Sequence, residues 1–162
     1  MSAPHGGRRV MNEMTLARWS EQTYAQEGVA STLLALQDEA GEDVLLLLLA
    51  AWLWQQGRTL SADLWQQVHA QQACWREELM LPLRQARRAL AQQAALQAQY
   101  QRLKVIEVEV ELQRLQVLEG SVGRGCLADQ AIQAALGAAC SGPVSGLRAQ
   151  LLAQLAALLS LR

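Results

Sequence analysis

A chain of 162 residues with fifteen acidic side chains, fourteen basic ones and a net charge of −1 has the size of one domain and lacks the basic excess of a dedicated nucleic-acid binder. Hydrophobic residues make up 51% of it, which excludes a disordered polymer. Thirty Leu, 27 Ala and 21 Gln fill 78 positions and Phe is absent, an excess of strong helix formers that excludes an ordinary sandwich, barrel or parallel sheet.

In chain order, Met1 to Val10 (MSAPHGGRRV) is small, polar and basic, without the apolar stretch of a secretory signal, and reads as a flexible tail. A first helix is expected from Thr15, its N-cap, to Glu27, with Gly28 as its stop. A second runs from Val29 to Ala40 and stops at Gly41. A third, capped by Asp43, runs to Gln56. It holds the longest apolar run, Val44 to Trp54 (VLLLLLAAWLW), far short of the ~20 residues needed to cross a bilayer. Apolar on every side, it is expected in the middle of the bundle. Residues 58–61 then connect to a fourth helix capped by Ser61 and carrying Leu64, Trp65 and Val68.

A fifth helical stretch spans Trp75 to Tyr100, and Pro82 must either start a helix inside it or kink a continuous one. In Lys104 to Leu118, Ile106 to Leu112 alternates apolar and acidic like a strand. No second strand candidate stands ready to pair with it, so helix is the better reading. On a wheel its apolar residues form two stripes, Leu103–Ile106–Val110–Val117 and Val105–Val108–Leu112–Leu115, which predicts packing against two partners at once. Gly120 to Gly125 reads as a flexible joint. Two weaker helical segments follow, Cys126 to Cys140 and Leu147 to Leu161. For the last, three roles stay open: folding back on the bundle (favoured), a partner groove or a membrane surface. The expected fold class is all-α: a compact bundle of about five to seven helices with a long helix in the C-terminal half and a less ordered tail. The organisation is a tail over 1–13, a helical bundle over 14–119 and a glycine-hinged extension over 120–162.

The stretch Trp19 to Gly57 resembles the front half of an uncharacterised proteobacterial family of small helical proteins with a domain of unknown function. The resemblance rests on Trp19, Tyr24, Gly28-Val29, Leu36-Gln37-Asp38, Gly41, Asp43-Val44 before the leucine run, and Trp52-Leu53. A second block, Trp75-Arg76-Glu77-Glu78 with Pro82-Leu83-Arg84, continues it, and the match covers Thr15 to Glu119. It implies a soluble bacterial helical protein, supports helix over 104–118, and carries no established activity. One departure is Leu45, where the family often has Asn.

Two charged constellations offer chemistry. Asp38-Glu39-Ala40-Gly41-Glu42-Asp43 concentrates four carboxylates, as a divalent-metal or acid/base site would. Gly41 breaks their helical alignment, so the favoured reading is a corner in which Asp43 caps the leucine helix. Arg76, Arg84, Arg87 and Arg88 fall within an arc of roughly 120° on a helix. Residues 76–104 hold six basic and two acidic side chains, a local +4, against seven acidic and one basic over residues 13–43, a local −6. The two blocks could bind phosphates or RNA, or pair with each other inside the fold or across a dimer, and pairing or solvation is favoured. The five tryptophans are expected mostly in the core, their indole N–H groups seeking acceptors.

Cys74, Cys126 and Cys140 are odd in number and unpaired in sequence, which argues against a disulfide framework or zinc site and for a reducing, cytoplasmic setting. Neither a nucleophile elbow nor a phosphate loop is present, and no cofactor, metal or catalytic residue is assigned. The candidate binding surface is Asp38, Asp43, Trp75, Arg76, Arg84, Arg87 and Arg88. The reading is a non-catalytic cytoplasmic binding or adaptor protein whose partner is another protein, a second copy, or both. Two alternatives stay open. One is a small-ligand carrier or enzyme with a pocket near Asp38/Asp43 and Arg76/Arg84. The other is an RNA- or ribosome-associated factor using the Arg76–Lys104 stripe.

Overall fold

Thr15 opens the fold: its hydroxyl oxygen accepts the Arg18 N–H at 3.3 Å and caps α1 (Leu16–Tyr24). The computed structural model describes residues 14–123 and 125–161, so the tail expected over 1–13 lies outside the described residues. Helix α1 ends three residues before the expected Glu27, in a turn that delivers Gly28, at φ +83°, to the start of α2 (Val29–Ala40). Gly41 closes α2, and Asp43 caps α3 (Val44–Gln55) by accepting the Leu45 N–H at 3.1 Å. Ten consecutive residues, Val44 to Leu53, are buried. Such a helix has no polar face to turn outward, so it can only sit among others. It touches α1, α2 and, further along the chain, α6 (Gln97–Val122) and α7 (Ile132–Ala138).

The connection after α3 is not a plain loop. Arg58–Thr59 (β1) pairs antiparallel with Cys126–Leu127 (β2), Arg58 facing Leu127 and Thr59 facing Cys126. The pairing ties the segment after α6 to the end of α3, and the Ala128 N–H adds a bond to the Gly57 carbonyl at 2.9 Å. Ser61 then caps α4 (Ala62–Cys74).

The stretch from Trp75 to Tyr100 divides, and Pro82 stands at the start of a helix inside it, one of its two expected roles, although the chain does not turn there. A π-helical turn over Trp75–Met80 follows α4 without a break and runs into α5 (Leu81–Ala91), which has Pro82 in its first turn. Pro lacks the N–H that an α-helix interior would need there, and widening the preceding turn accommodates it. The chain reverses instead at Gln92–Gln93, where Gln93 is extended, and a short 3-10 turn (Ala94–Leu96) leads into α6. Neither Gly nor Pro marks this reversal; antiparallel packing of α5 on α6 imposes it.

Residues 104–118 are helical, as expected, inside the 26 residues of α6, a rod about 39 Å long at 1.5 Å per residue. The rod passes through Gly120 to Val122, so the glycine joint begins at Gly123 rather than Gly120. Beyond it, α7 and α8 (Gly146–Leu159) fold back. Ile132, Leu136, Leu152, Leu155, Ala156 and Leu159 join α1–α3 in one hydrophobic cluster, and α8 lies along α2. The fold is an all-α bundle around α3, with the α5–α6 hairpin projecting from it: α5 buries no residue and 91–99 are all exposed.

Candidate functional site

The corner between α2 and α3 disperses the four carboxylates instead of gathering them. Asp38 faces α5, where Arg88 Nη2 donates to its Oδ1 at 3.0 Å. Glu39 is exposed. Glu42 turns toward the C-terminal helices: its Oε1 lies 2.7 Å from Arg148 Nε, a charge contact rather than an aligned hydrogen bond, and its Oε2 accepts the Ser141 N–H at 3.2 Å. Arg148 also donates to the carbonyls of Ala40 and Pro143, so this cluster clamps α8 onto the end of α2. Among the described residues, no group of three or more His, Cys, Asp or Glu side chains could hold a metal ion.

Asp43 does more than cap a helix. Arg114 of α6, 1% exposed, donates through Nη2 to Asp43 Oδ2 at 2.6 Å and through Nε to Gln72 Oε1 of α4 at 3.0 Å. Arg76 Nη1 stands 3.9 Å from the same Asp43 oxygen. A buried guanidinium is tolerable only when its charge is matched and its donors are bound. Here one arginine joins three helices, α3, α4 and α6. Leu45 is buried in the core and brings no polar group to this site.

The remaining arginines of the candidate surface face α6. Arg87 Nε donates to Glu107 Oε2 at 2.7 Å, and Arg84 Nη2 to Glu111 Oε1 at 3.1 Å. The four arginines sharing one arc are thus each engaged by a carboxylate: Arg76 by Asp43 and Glu77, Arg84 by Glu111, Arg87 by Glu107, Arg88 by Asp38. The structure brings Asp43 and Arg76 together and Asp38 and Arg88 together, as two separate pairs. Trp75 opens the π turn, half-buried. Gln72, Glu107, Glu111 and Arg114 were not singled out in the sequence. Glu107 and Glu111 look like the acidic half of an alternation, and nothing in the wording Leu112-Gln113-Arg114-Leu115 marks Arg114 as buried.

The reason is that the buried face of α6 lies between the two apolar stripes. Glu107, Arg114, Leu115, Leu118 and Val122 are buried, whereas Val105, Ile106, Val108 and Leu112 are 56%, 41%, 54% and 42% exposed. Within the chain, packing against two partners at once is therefore not met over the first half of α6, where stripe residues stay exposed. A hairpin has one mate per helix, and α5 takes the side that its arginines can neutralise.

Among the described residues, three groups have displaced acidities. Burial pushes the Tyr24 hydroxyl up, helped by nearby Glu111 and opposed by Arg84. Burial, with Glu42 beside it, pushes the Cys140 thiol up to about 12. A hydrogen bond to Glu78 raises Cys74. All three cysteines are free thiols, and the lowered acidity of Cys74 and Cys140 leaves little thiolate and makes them poor nucleophiles. Among the tryptophans, Trp19 donates to Gln55 Oε1, Trp52 to the Met14 carbonyl at 3.0 Å and Trp54 to the Gln130 carbonyl at 2.9 Å. The Trp65 N–H is buried with no acceptor among the described residues.

Fold and site together define a class: a small all-α bundle carrying an ion-paired helical hairpin with an exposed apolar flank, in which no described helix is long and apolar enough to cross a membrane. Residues 15–118 match the family described as protein of unknown function (DUF2390), and the chain belongs to that family. No curated protein and no solved structure matches it. The family match ends inside α6, so α7 and α8 lie beyond it.

Proposed function

We propose that this chain is a non-catalytic helical binding protein that acts through protein–protein contacts on the projecting α5–α6 hairpin. One observation carries the reading: Val105, Ile106, Val108 and Leu112 stay exposed along one stretch of helix, while Glu107 and Glu111 on its other side are matched by Arg87 and Arg84 of α5. Exposed apolar side chains contiguous along a helix cost solubility unless a partner uses them. The pairing of Asp38, Asp43, Arg76 and Arg84 within the chain favours this over a ligand pocket or enzyme centre built from them. It also weakens the RNA reading, since Arg76, Arg84, Arg87 and Arg88, four of the six basic side chains of the stripe, already hold carboxylates. Free thiols support a reducing, cytoplasmic setting.

Site-directed photocrosslinking in the native cell tests it. A benzophenone side chain at position 105 or 108 is expected to yield protein adducts, and one at exposed Gln71 on α4 is not. Absence of adducts at 105 and 108 overturns the reading.

A further inference from the structure

We propose that the partner of this apolar flank is a second copy of the chain, docked with the two α6 helices antiparallel; the inference rests on the binding role argued above and names its occupant. Along α6, Gln101, Val105, Val108, Leu112 and Leu115 recur at alternating steps of four and three residues, the spacing of a helix–helix seam. Within the chain only its last member, Leu115, is buried. The rest of the seam faces solvent. An open, shallow concavity lies there, bordered by Gln101, Lys104, Val105, Val108 and Glu109. Its first four members stand at i, i+3, i+4 and i+7, the arrangement that receives one side chain of a facing helix.

The flanking charges select a copy of the same helix, and its direction. One flank of the seam carries Arg102 and Glu109, the other Lys104 and Glu111; each pair is seven residues apart and opposite in sign. When two identical helices run antiparallel with Val105 against the partner's Val108, each flank meets its own copy reversed. Arg102 then faces the partner's Glu109, and Lys104 the partner's Glu111. Each contact occurs twice across the two-fold axis, so four attractive pairs form and no repulsive one. In parallel alignment, Lys104 meets the partner's Glu109, while Arg102 and Glu111 find only glutamines. Arg102 and Glu109 are exposed, and Glu111, although held by Arg84, keeps 35% of its side-chain surface.

Sedimentation equilibrium of the full chain across the micromolar range tests this. A monomer–dimer equilibrium is expected, abolished by Val108→Glu with helicity unchanged. Arg102→Glu and Glu109→Arg, each alone, are expected to weaken self-association at least about tenfold, since like charges then meet twice across the axis. Mixing the two single variants is expected to restore a dimer containing one of each. In that dimer the glutamate introduced at position 102 faces the arginine introduced at position 109, and the other contact keeps its native pair. A parallel pair has no such rescue. A monomer at every concentration, a dimer that survives Val108→Glu, single variants that associate normally, or a mixture without rescue overturns the proposal. If the chain is monomeric and position 105 crosslinks to a different protein, self-pairing falls while the binding role stands.

Discussion

Arg114 shows how one side chain can set the relation of several helices. Its guanidinium sits where water does not reach and satisfies Asp43 and Gln72 together. Replacing it by methionine keeps most of the volume but strands the Asp43 carboxylate, leaving it only the Leu45 N–H and Arg76 at 3.9 Å. Breaking a buried pair from one side costs about 3–5 kcal/mol. Urea unfolding of Arg114→Met is expected to show a loss of that size. Asp43→Asn keeps the cap yet strands the guanidinium, and the double variant is expected to lose clearly less than the sum of the two. Additive losses would mean that the two groups act independently. None of this is visible in the residues around position 114, because a periodic apolar pattern locates faces and not the charges between them.

At the scale of elements, the local signals were good where a helix begins and poor where the chain reverses. Thr15, Asp43 and Ser61 each cap the helix they were expected to cap, since the bond is made within a few residues and needs no distant partner. The turn at Gln92–Gln93 and the β1–β2 pairing are set by distant contacts and carry no local mark. Gly125 shows how tight that pairing is: at φ +62°, an added Cβ would stand 2.5 Å from the Thr59 carbonyl oxygen. Gly125→Ala must shift either the ladder or the backbone. It is expected to lower stability by about 1–3 kcal/mol and to speed exchange of the Ala128 amide, which bonds the Gly57 carbonyl across the ladder. A variant that keeps both wild-type stability and slow exchange at Ala128 would contradict this.

For the whole molecule, burial is divided unevenly. The bundle around α3 draws side chains from α1, α2, α6, α7 and α8 into one cluster, while α5 adds none and residues 91–99 are exposed. Local opening free energy follows buried contact density. Native-state hydrogen exchange is therefore expected to be slowest in α3, limited there by global unfolding. It should be fastest in 91–99, the tip of the hairpin, where every residue is exposed. Equal protection in the two regions would show that the hairpin is as firmly packed as the core.

The amino-acid sequence alone determined the all-α class, the caps, the central position of the leucine helix and the family resemblance. All of these depend on composition or on interactions spanning a few residues. Tertiary structure alone decided which carboxylate each arginine meets, Asp43 and Asp38 for Arg76 and Arg88 but Glu111 and Glu107 of α6 for Arg84 and Arg87, and that the buried face of α6 lies between its two apolar stripes. It also decided that α8 closes on α2 through Arg148 and Glu42. Those outcomes turn on which helix arrives opposite which. Coulomb attraction and burial act on distance in space, and separations such as the 71 residues between Asp43 and Arg114 leave no periodicity to read.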